Sequence, residues 1–358
     1  MIITAIDTKK IKIKLLGEFK VAFGTVSTVE NVLVKISTDE GITGYGEASP
    51  FAPVTGETSE SVIALIDMLR PGLVGKNPFA LDDIHTLMDK AVHGNPAAKC
   101  GIDLACYDLI GKSSGKPVYQ ILGGGSGIVQ SDITIGIGEP EQMAQEAAHL
   151  VKDLGYHILK IKVGIDPVQD IKALTLIRKA VGEEVRLRVD ANQGYTAALA
   201  VKMLDKFASL GIEAAEQCLP DWDIDGSALV HSKARGVGIM LDESIHSPHD
   251  AARACKLDAV DTINIKLMKC GGLYPGSQIS AIANSFGVTC MVGCMIETRL
   301  ALSAGISLVA ARHNVTDADC DSFLFFDEAQ AGVSGGFTVE GDTFHLSDSP
   351  GFGVEVDF

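Results

Sequence analysis

No two cysteines in this chain stand in a CxxC arrangement, and of the eight present only Cys290 and Cys294 lie close together. That excludes a CxxC redox or metal motif. Scattered thiols read as reduced side chains, so a cytoplasmic protein is expected. Positive charge is also short: a net charge of −16 leaves no basic patch for nucleic acid or an anionic membrane. A local lysine cluster can still override that field for a small anionic substrate. Long apolar runs are missing too. The longest, 300-LALSAGISLVAA-311, is too short to span a bilayer, and MIITAIDTKK lacks the basic segment and apolar core of a signal peptide. The glycine run 123-GGGSG-127 is not followed by GK[ST], so it reads as a linker and not as a phosphate loop. The expected partner is a small molecule, with no nucleic acid and no membrane.

What the chain has is length and rhythm. Its 358 residues are too many for one small core and suit a barrel with an accessory domain. Residues 1–125 read as an α+β unit. The segments 2-IITAIDTKKIKIKL-15 and 31-NVLVKISTDEGITGYGEA-48 are rich in β-branched residues, with a turn at Asp39-Glu40-Gly41. Helical patterns follow at 60–73, 80–92 and 97–115. Strand-like runs then begin near residues 131, 157, 185, 211, 237, 261 and 289, separated by helical patterns. Strand alternating with helix predicts βαβ units and a parallel sheet. About seven or eight such units in roughly 200 residues predict a (β/α) barrel over an open sheet. Residues 336–358 return to short β-like runs, expected to pack back on the first domain.

The stretch 157-HILKIKVG-164 reads as a buried strand, yet Lys160 and Lys162 lie inside it. Side chains alternate along a strand, so both ammonium groups face the same way. Later strands carry Asp190, Glu216, Asp242 and Lys266 near their C-terminal ends, spaced 24 to 28 residues apart from Lys162 onward. In a barrel those ends share one mouth. Taken singly, an Asp after a strand is most often a helix N-cap. The regular spacing instead points to one shared cup. Three clustered carboxylates repel and raise one another's pKa, a divalent cation relieves that repulsion, and an all-oxygen set suits Mg²⁺. Repulsion between neighbouring lysines, together with the nearby cation, is expected to lower a lysine's pKa and make it a usable base. A carboxylate substrate then loses its α-proton to give an enediolate stabilised by the metal, and lysines on two faces can remove and return a proton with inversion.

KIK at 160–162, VDANQG at 189–194, EQ at 216–217, LDES at 241–244 and NIKLMKCGG at 264–272 together resemble the enolase superfamily, muconate lactonizing enzyme subgroup. The resemblance covers the whole chain. It implies an α/β fold: a (β/α)7β TIM-like barrel over 126–335, and an α+β N-terminal capping domain over 1–125 completed by 336–358. Mobile capping loops are implied near 15–30 and 49–58. It implies Asp190, Glu216 and Asp242 as Mg²⁺ ligands, Lys162 and Lys266 as the acid/base pair, Lys160 as an assisting group, and Asn192 and Glu297 in the surrounding shell. No His base stands on a late strand, which disfavours the mandelate racemase type.

That subgroup holds cycloisomerases, o-succinylbenzoate synthases, N-acylamino acid racemases and dipeptide epimerases. The stretch 317-DADCDSF-323 discriminates among them. Asp319 and Asp321 match the DxD pair with which dipeptide epimerases hold a substrate's α-ammonium group by charge-assisted hydrogen bonds. The resemblance therefore implies an Mg²⁺-dependent isomerase of cell-wall peptide metabolism. It would invert the C-terminal α-carbon of a dipeptide such as L-Ala-D/L-Glu or a related L-Ala-Xaa. The other three activities are the alternatives. Thr134, Met295, Glu297, Lys20 and Gly24 are placed on the substrate side. Gly24 stands where Ala-Glu epimerases carry an Arg, so Lys20 or Arg299 is expected to meet a glutamate side chain, and small or apolar second residues are expected as well. A homo-oligomer is expected.

Overall fold

In the computed structural model, which describes residues 1–21 and 24–358, the chain opens as an antiparallel sheet of β1 (Ile3–Val21), β2 (Gly24–Thr38) and β3 (Thr43–Ala48). The turn between β2 and β3 falls at the expected Asp39–Gly41, where Gly41 takes a φ of 76°. Residues 15–21 and 24–30, where a mobile loop is expected, are extended strand, and Phe19↔Val26 to Val21↔Gly24 pair as a β-ribbon. The β-branched residues Thr25, Val26, Thr28 and Val29 favour that extended backbone. Residues 49–58 contain one helical turn, Ala52–Thr55.

Helices Ser59–Leu73, Leu81–Ala91 and Pro96–Ser114 follow. The third is buried from Ala97 to Gly111, so its acids must be paired inside. Asp108 accepts the backbone N–H groups of Tyr45 (2.9 Å) and Phe352 (3.0 Å), and Lys112 lies at 2.6 Å. Asp103 accepts the N–H of Leu273 at 2.6 Å, the first residue of a barrel helix, with His85 Nε2 at 2.7 Å. Glu47 of β3 accepts from Thr298 N (3.0 Å) and Oγ1 (2.6 Å) at the start of helix Arg299–Ala311. Two buried acids of the first unit thus clamp two helix N-termini of the second, where N–H groups lack intrahelical partners and the dipole favours negative charge.

After β4 (Ile128–Gln130) come eight barrel strands: β5 (Ile133–Ile135), β6 (Ile158–Lys162), β7 (Arg186–Asp190), β8 (Ile212–Glu216), β9 (Gly238–Leu241), β10 (Thr262–Lys266), β11 (Thr289–Gly293) and β12 (Val315–Asp319). They pair in parallel in that order. The ring closes through the bridge Ser131↔Ala318 and the bond from Asp132 N to Ala318 O, 2.9 Å. Helices fill the seven gaps, which makes the barrel (β/α)7β. Asp166, Thr196, Asp223, Ser247 and Thr298 cap helix N-termini with their side chains, each worth about 1 kcal/mol. Leu159, Ile161, Leu187, Val189, Ile239, Leu241, Ile263 and Ile265 are buried on the alternate strand positions, leaving the other face of each strand for the barrel interior.

The chain ends in β13 (Val333–Gly335), β14 (Phe337–Glu340), β15 (Thr343–Leu346) and β16 (Val354–Val356). β15 pairs with both β14 and β4, while the last residues reach the first sheet. Phe358 packs on Tyr45 at 6.2 Å, and Lys9 Nζ donates to the Asp357 carbonyl at 2.7 Å. Among the described residues no helix is long and apolar enough to cross a membrane.

Candidate active site

Strand periodicity aims Lys160 and Lys162, Asp190, Glu216, Lys266 and Asp319 into the barrel. Lys162, Asp190, Glu216, Lys266 and Asp319 are each the last residue of their strand, and Asp242 directly follows β9. All are buried at one mouth. β6 and β10 are four places apart in a ring of eight, so Lys162 and Lys266 enter from opposite walls.

The lysines are threaded among the acids. Lys160 Nζ lies 2.7 Å from Asp319, 2.9 Å from Glu216 and 3.3 Å from Asp190. Lys162 donates to Asp190 (2.6 Å) and to Asn192 Oδ1 (3.0 Å). Lys266 sits 2.9 Å from Asp242, whose other oxygen is 2.5 Å from Lys269. Asn264 Nδ2 donates to Glu216 at 2.7 Å.

At Lys160 this threading works against the expected lowering of a lysine's pKa by its neighbour. Burial does disfavour the ammonium of Lys160, but Asp319, Glu216 and Asp190 outweigh it and raise Lys160 well above the ordinary lysine value. Lys266 is raised likewise, burial being outweighed by Asp242. The carboxylates divide. Burial pushes Glu216 up, aided by Asp190, whereas the lysines overcome burial and hold Asp190 and Asp242 low. Mutual repulsion of the three acids therefore surfaces on Glu216 alone.

Asp319 and Asp321 share one wall with Thr134. Thr134 N donates to Asp321 at 2.7 Å and Thr134 Oγ1 to Asp319 at 3.3 Å. Burial is opposed at Asp319 by Lys160, which holds it at about 2. At Asp321 burial and the Asp319 charge act together and lift it to about 6. Met295 lines the same cavity. Glu297 lies behind it, accepting Met295 N at 2.9 Å, and burial raises it to about 8.

Three expected substrate contacts are placed elsewhere. Lys20 is exposed and lines a side cavity with Leu15 and Leu16, which meets the main one only at Thr134 and Phe325. Gly24 has a φ of 144°, which L side chains rarely adopt, so an Arg there would be strained. Arg299 is turned to the C-terminal segment. It pairs with Glu328, donates to the Phe337 carbonyl at 2.7 Å, and stacks on the Phe337 ring at 4.4 Å.

The structure adds residues that pattern reading passed over. Gln217, at a φ of 35°, accepts Asp242 N (2.9 Å) and Ser244 N (3.2 Å) with its amide oxygen and so ties the ends of β8 and β9 together. Gln217 sits inside the EQ motif and its two donors inside LDES, which were the available signal. Arg188, two residues before Asp190, lies below the cup among Asp132, Glu213 and Asp317. Its signal was the inward parity of 186-RLRVD-190.

The donor set fits a hard divalent cation: three buried carboxylates at adjacent strand ends with no soft ligand among them. As the side chains stand, no three acids converge on one point among the described residues. Lys160 bridges Asp190 and Glu216, so its ammonium must yield those contacts to an ion.

Residues 4–123 match the mandelate racemase/muconate lactonizing enzyme N-terminal domain, and residues 142–358 match the enolase C-terminal domain-like family. The chain is 42% identical to a hydrophobic dipeptide epimerase of Enterococcus faecalis, with 99% of each chain covered. It is 39% identical to an L-Ala-D/L-Glu epimerase of Clostridium acetobutylicum, again over 99% of each. A crystal structure of dipeptide epimerase from E. faecalis, complexed with Mg and L-Leu-L-Tyr, superposes with a TM-score of 0.96 at 41% identity, covering 99% of this chain and 100% of that one.

Proposed function

The chain belongs to the mandelate racemase/muconate lactonizing enzyme family of the enolase superfamily, and on that premise we propose that it inverts the C-terminal α-carbon of a dipeptide. The observation that carries this reading is the pairing of two features in one cavity. Lysines stand on opposite walls, and the Asp319–Asp321 pair waits where a substrate's α-ammonium can be held. An N-acylamino acid has no such cation: Asp319 would keep its pair with Lys160, but Asp321 would stay buried with only the Thr134 N–H to meet its charge.

In this reading one of Lys162 and Lys266, as the amine, takes the α-proton. The other, as the ammonium, delivers a proton to the opposite face. The Lys160 ammonium supplies fixed positive charge beside the substrate carboxylate. Asp190, Glu216 and Asp242 would hold Mg²⁺, the ion in the solved E. faecalis relative. When bound, Mg²⁺ would supply the charge that stabilises the substrate carboxylate as the α-proton leaves.

The cavity also selects the side chain. Its outer part is built from Val26, Val29, Pro50, Phe51, Val54, Ile296 and Phe325, and among the described residues its lining lysines lie only at the strand ends. A glutamate side chain would lose its hydration there without a cation. Apolar second residues are therefore favoured over glutamate. The test is a dipeptide library in D₂O read by mass spectrometry, with and without EDTA. L-Ala-L-Phe and L-Leu-L-Tyr should gain one deuteron and epimerise. L-Ala-L-Glu should lag, EDTA should stop exchange, and Mg²⁺ should restore it. N-acetylation should cost about 2–5 kcal/mol in kcat/KM. Exchange of N-acyl amino acids in preference to free dipeptides would refute the assignment.

A further inference from the structure

We infer that Glu243 is a positioning residue for Lys162, acting through the amide of Asn192; the inference rests on the two-lysine reading above. Asn192 follows β7 with a φ of 37°, and its backbone N–H is fastened to Asp190 Oδ1 at 2.9 Å. Its side-chain amide stands between two unlike groups. On one side Lys162 Nζ, which can only donate, gives a hydrogen bond to Oδ1 at 3.0 Å. On the other, Glu243 Oε1 accepts from Nδ2 at 3.1 Å. An amide turned over would face its own donor toward an ammonium, and the carboxyl of Glu243 is what forbids that orientation.

Glu243 has little else to do. It is buried and lines the cavity, Asn192 is its only side-chain hydrogen-bond partner among the described residues, and its Oε2 makes no hydrogen bond. A residue retained only for folding would be a poor fit for a buried carboxyl with one oxygen unsatisfied. The hydrogen-bonded relay runs from the end of β9 to the end of β7 to the end of β6, and so ends on the Lys162 wall. Lys266, on the opposite wall, meets Asp242, and among the described residues its ammonium gives no hydrogen bond to a side-chain amide. Glu243 also senses the Lys266 charge, but its hydrogen bonds lead to Lys162 alone, so it acts more strongly on one direction of the reaction than on the other.

The test uses solvent exchange in D₂O, followed separately for each epimer of one apolar dipeptide. Lys162→Ala first identifies which epimer Lys162 serves. Glu243→Leu should slow exchange of that epimer by about 10- to 100-fold, the scale of losing a group that orients a reacting one, while the other epimer is slowed far less. Glu243→Gln, whose Oε1 can still accept from Asn192, should restore most of the loss. Should Glu243→Leu not fold, Glu243→Ala carries the same comparison without added bulk. Equal slowing of both epimers, or Glu243→Gln as impaired as Glu243→Leu, would overturn the inference: the first points to weakened cation binding next to Asp242, the second to a need for charge. Failure of the wild-type protein to exchange either epimer would instead refute the proposed function.

Discussion

Gly293 stands beside Lys266 across the β10–β11 ladder, and a methyl group built on it would lie 3.0 Å from Lys266 Cε and 2.7 Å from Asn264 Oδ1. The base on this wall rests against bare backbone. Gly293→Ala is expected to displace Lys266 and slow exchange of the epimer it serves by about 10- to 100-fold, the cost of a misplaced catalytic group. Overpacking should also destabilise by about 1–3 kcal/mol, visible as a lower midpoint in urea. Exchange of both epimers at wild-type rates would show that Lys266 tolerates the crowding.

Opposed walls carry a second expectation. Lys162→Ala and Lys266→Ala should each abolish epimerisation, yet each should still exchange the α-proton of one epimer, a different one in each variant. Proton NMR in D₂O reads both at once. Loss of exchange from both epimers in either variant would contradict a division of labour between the two lysines.

Asp321 sets a pH dependence. Burial and the Asp319 charge lift its carboxyl to about 6, so below that pH it is protonated and cannot hold an ammonium group as an ion pair. The expected kcat/KM for a dipeptide rises through pH 6 and then levels. Asp321→Asn should lower the plateau and remove this inflection. An unchanged inflection in that variant would assign it to another group.

Glu297 makes a stability prediction with a definite sign. Burial raises it from 4.5 to about 8, so between those values the folded protein keeps a proton that the unfolded chain releases. The stability this group supports is complete below about pH 4.5, declines as pH rises, and is lost by about pH 8. Glu297→Gln keeps an acceptor for Met295 N and cannot ionise. Its gain in stability over wild type should be near zero at pH 4 and reach roughly 2–4 kcal/mol at pH 8. A gain independent of pH would show that Glu297 does not titrate in this way.

The placement of Lys162, Asp190, Glu216, Asp242 and Lys266 was legible because a barrel repeats. A strand, a helix and two short connections take a nearly constant number of residues, so a charge recurring at that interval must recur at the same end of successive strands. Alternation along 158-ILKIK-162 likewise settles which side chains face the interior. Motif order carried the family for the same reason: each motif is a local string whose strand position follows from counting.

Pairing was another matter. Whether Arg299 faces a substrate or Glu328, and whether Lys160 meets Lys162 or Asp319, depends on residues brought near by ring closure and by the returning C-terminal segment. Neither a lowered lysine pKa, weighed from Lys162 beside Lys160, nor an Arg299 side chain facing the cavity allowed for contacts from elsewhere in the chain. In the folded barrel a carboxylate from a distant strand comes within 3 Å of Lys160 and dominates in a dry interior. The amino-acid order thus determined which chemical groups reach the mouth, through periods that local backbone geometry imposes. Only the closed tertiary structure decided which of them touch, because hydrogen bonds and charge pairs act over a few ångströms of space, whatever their separation along the chain.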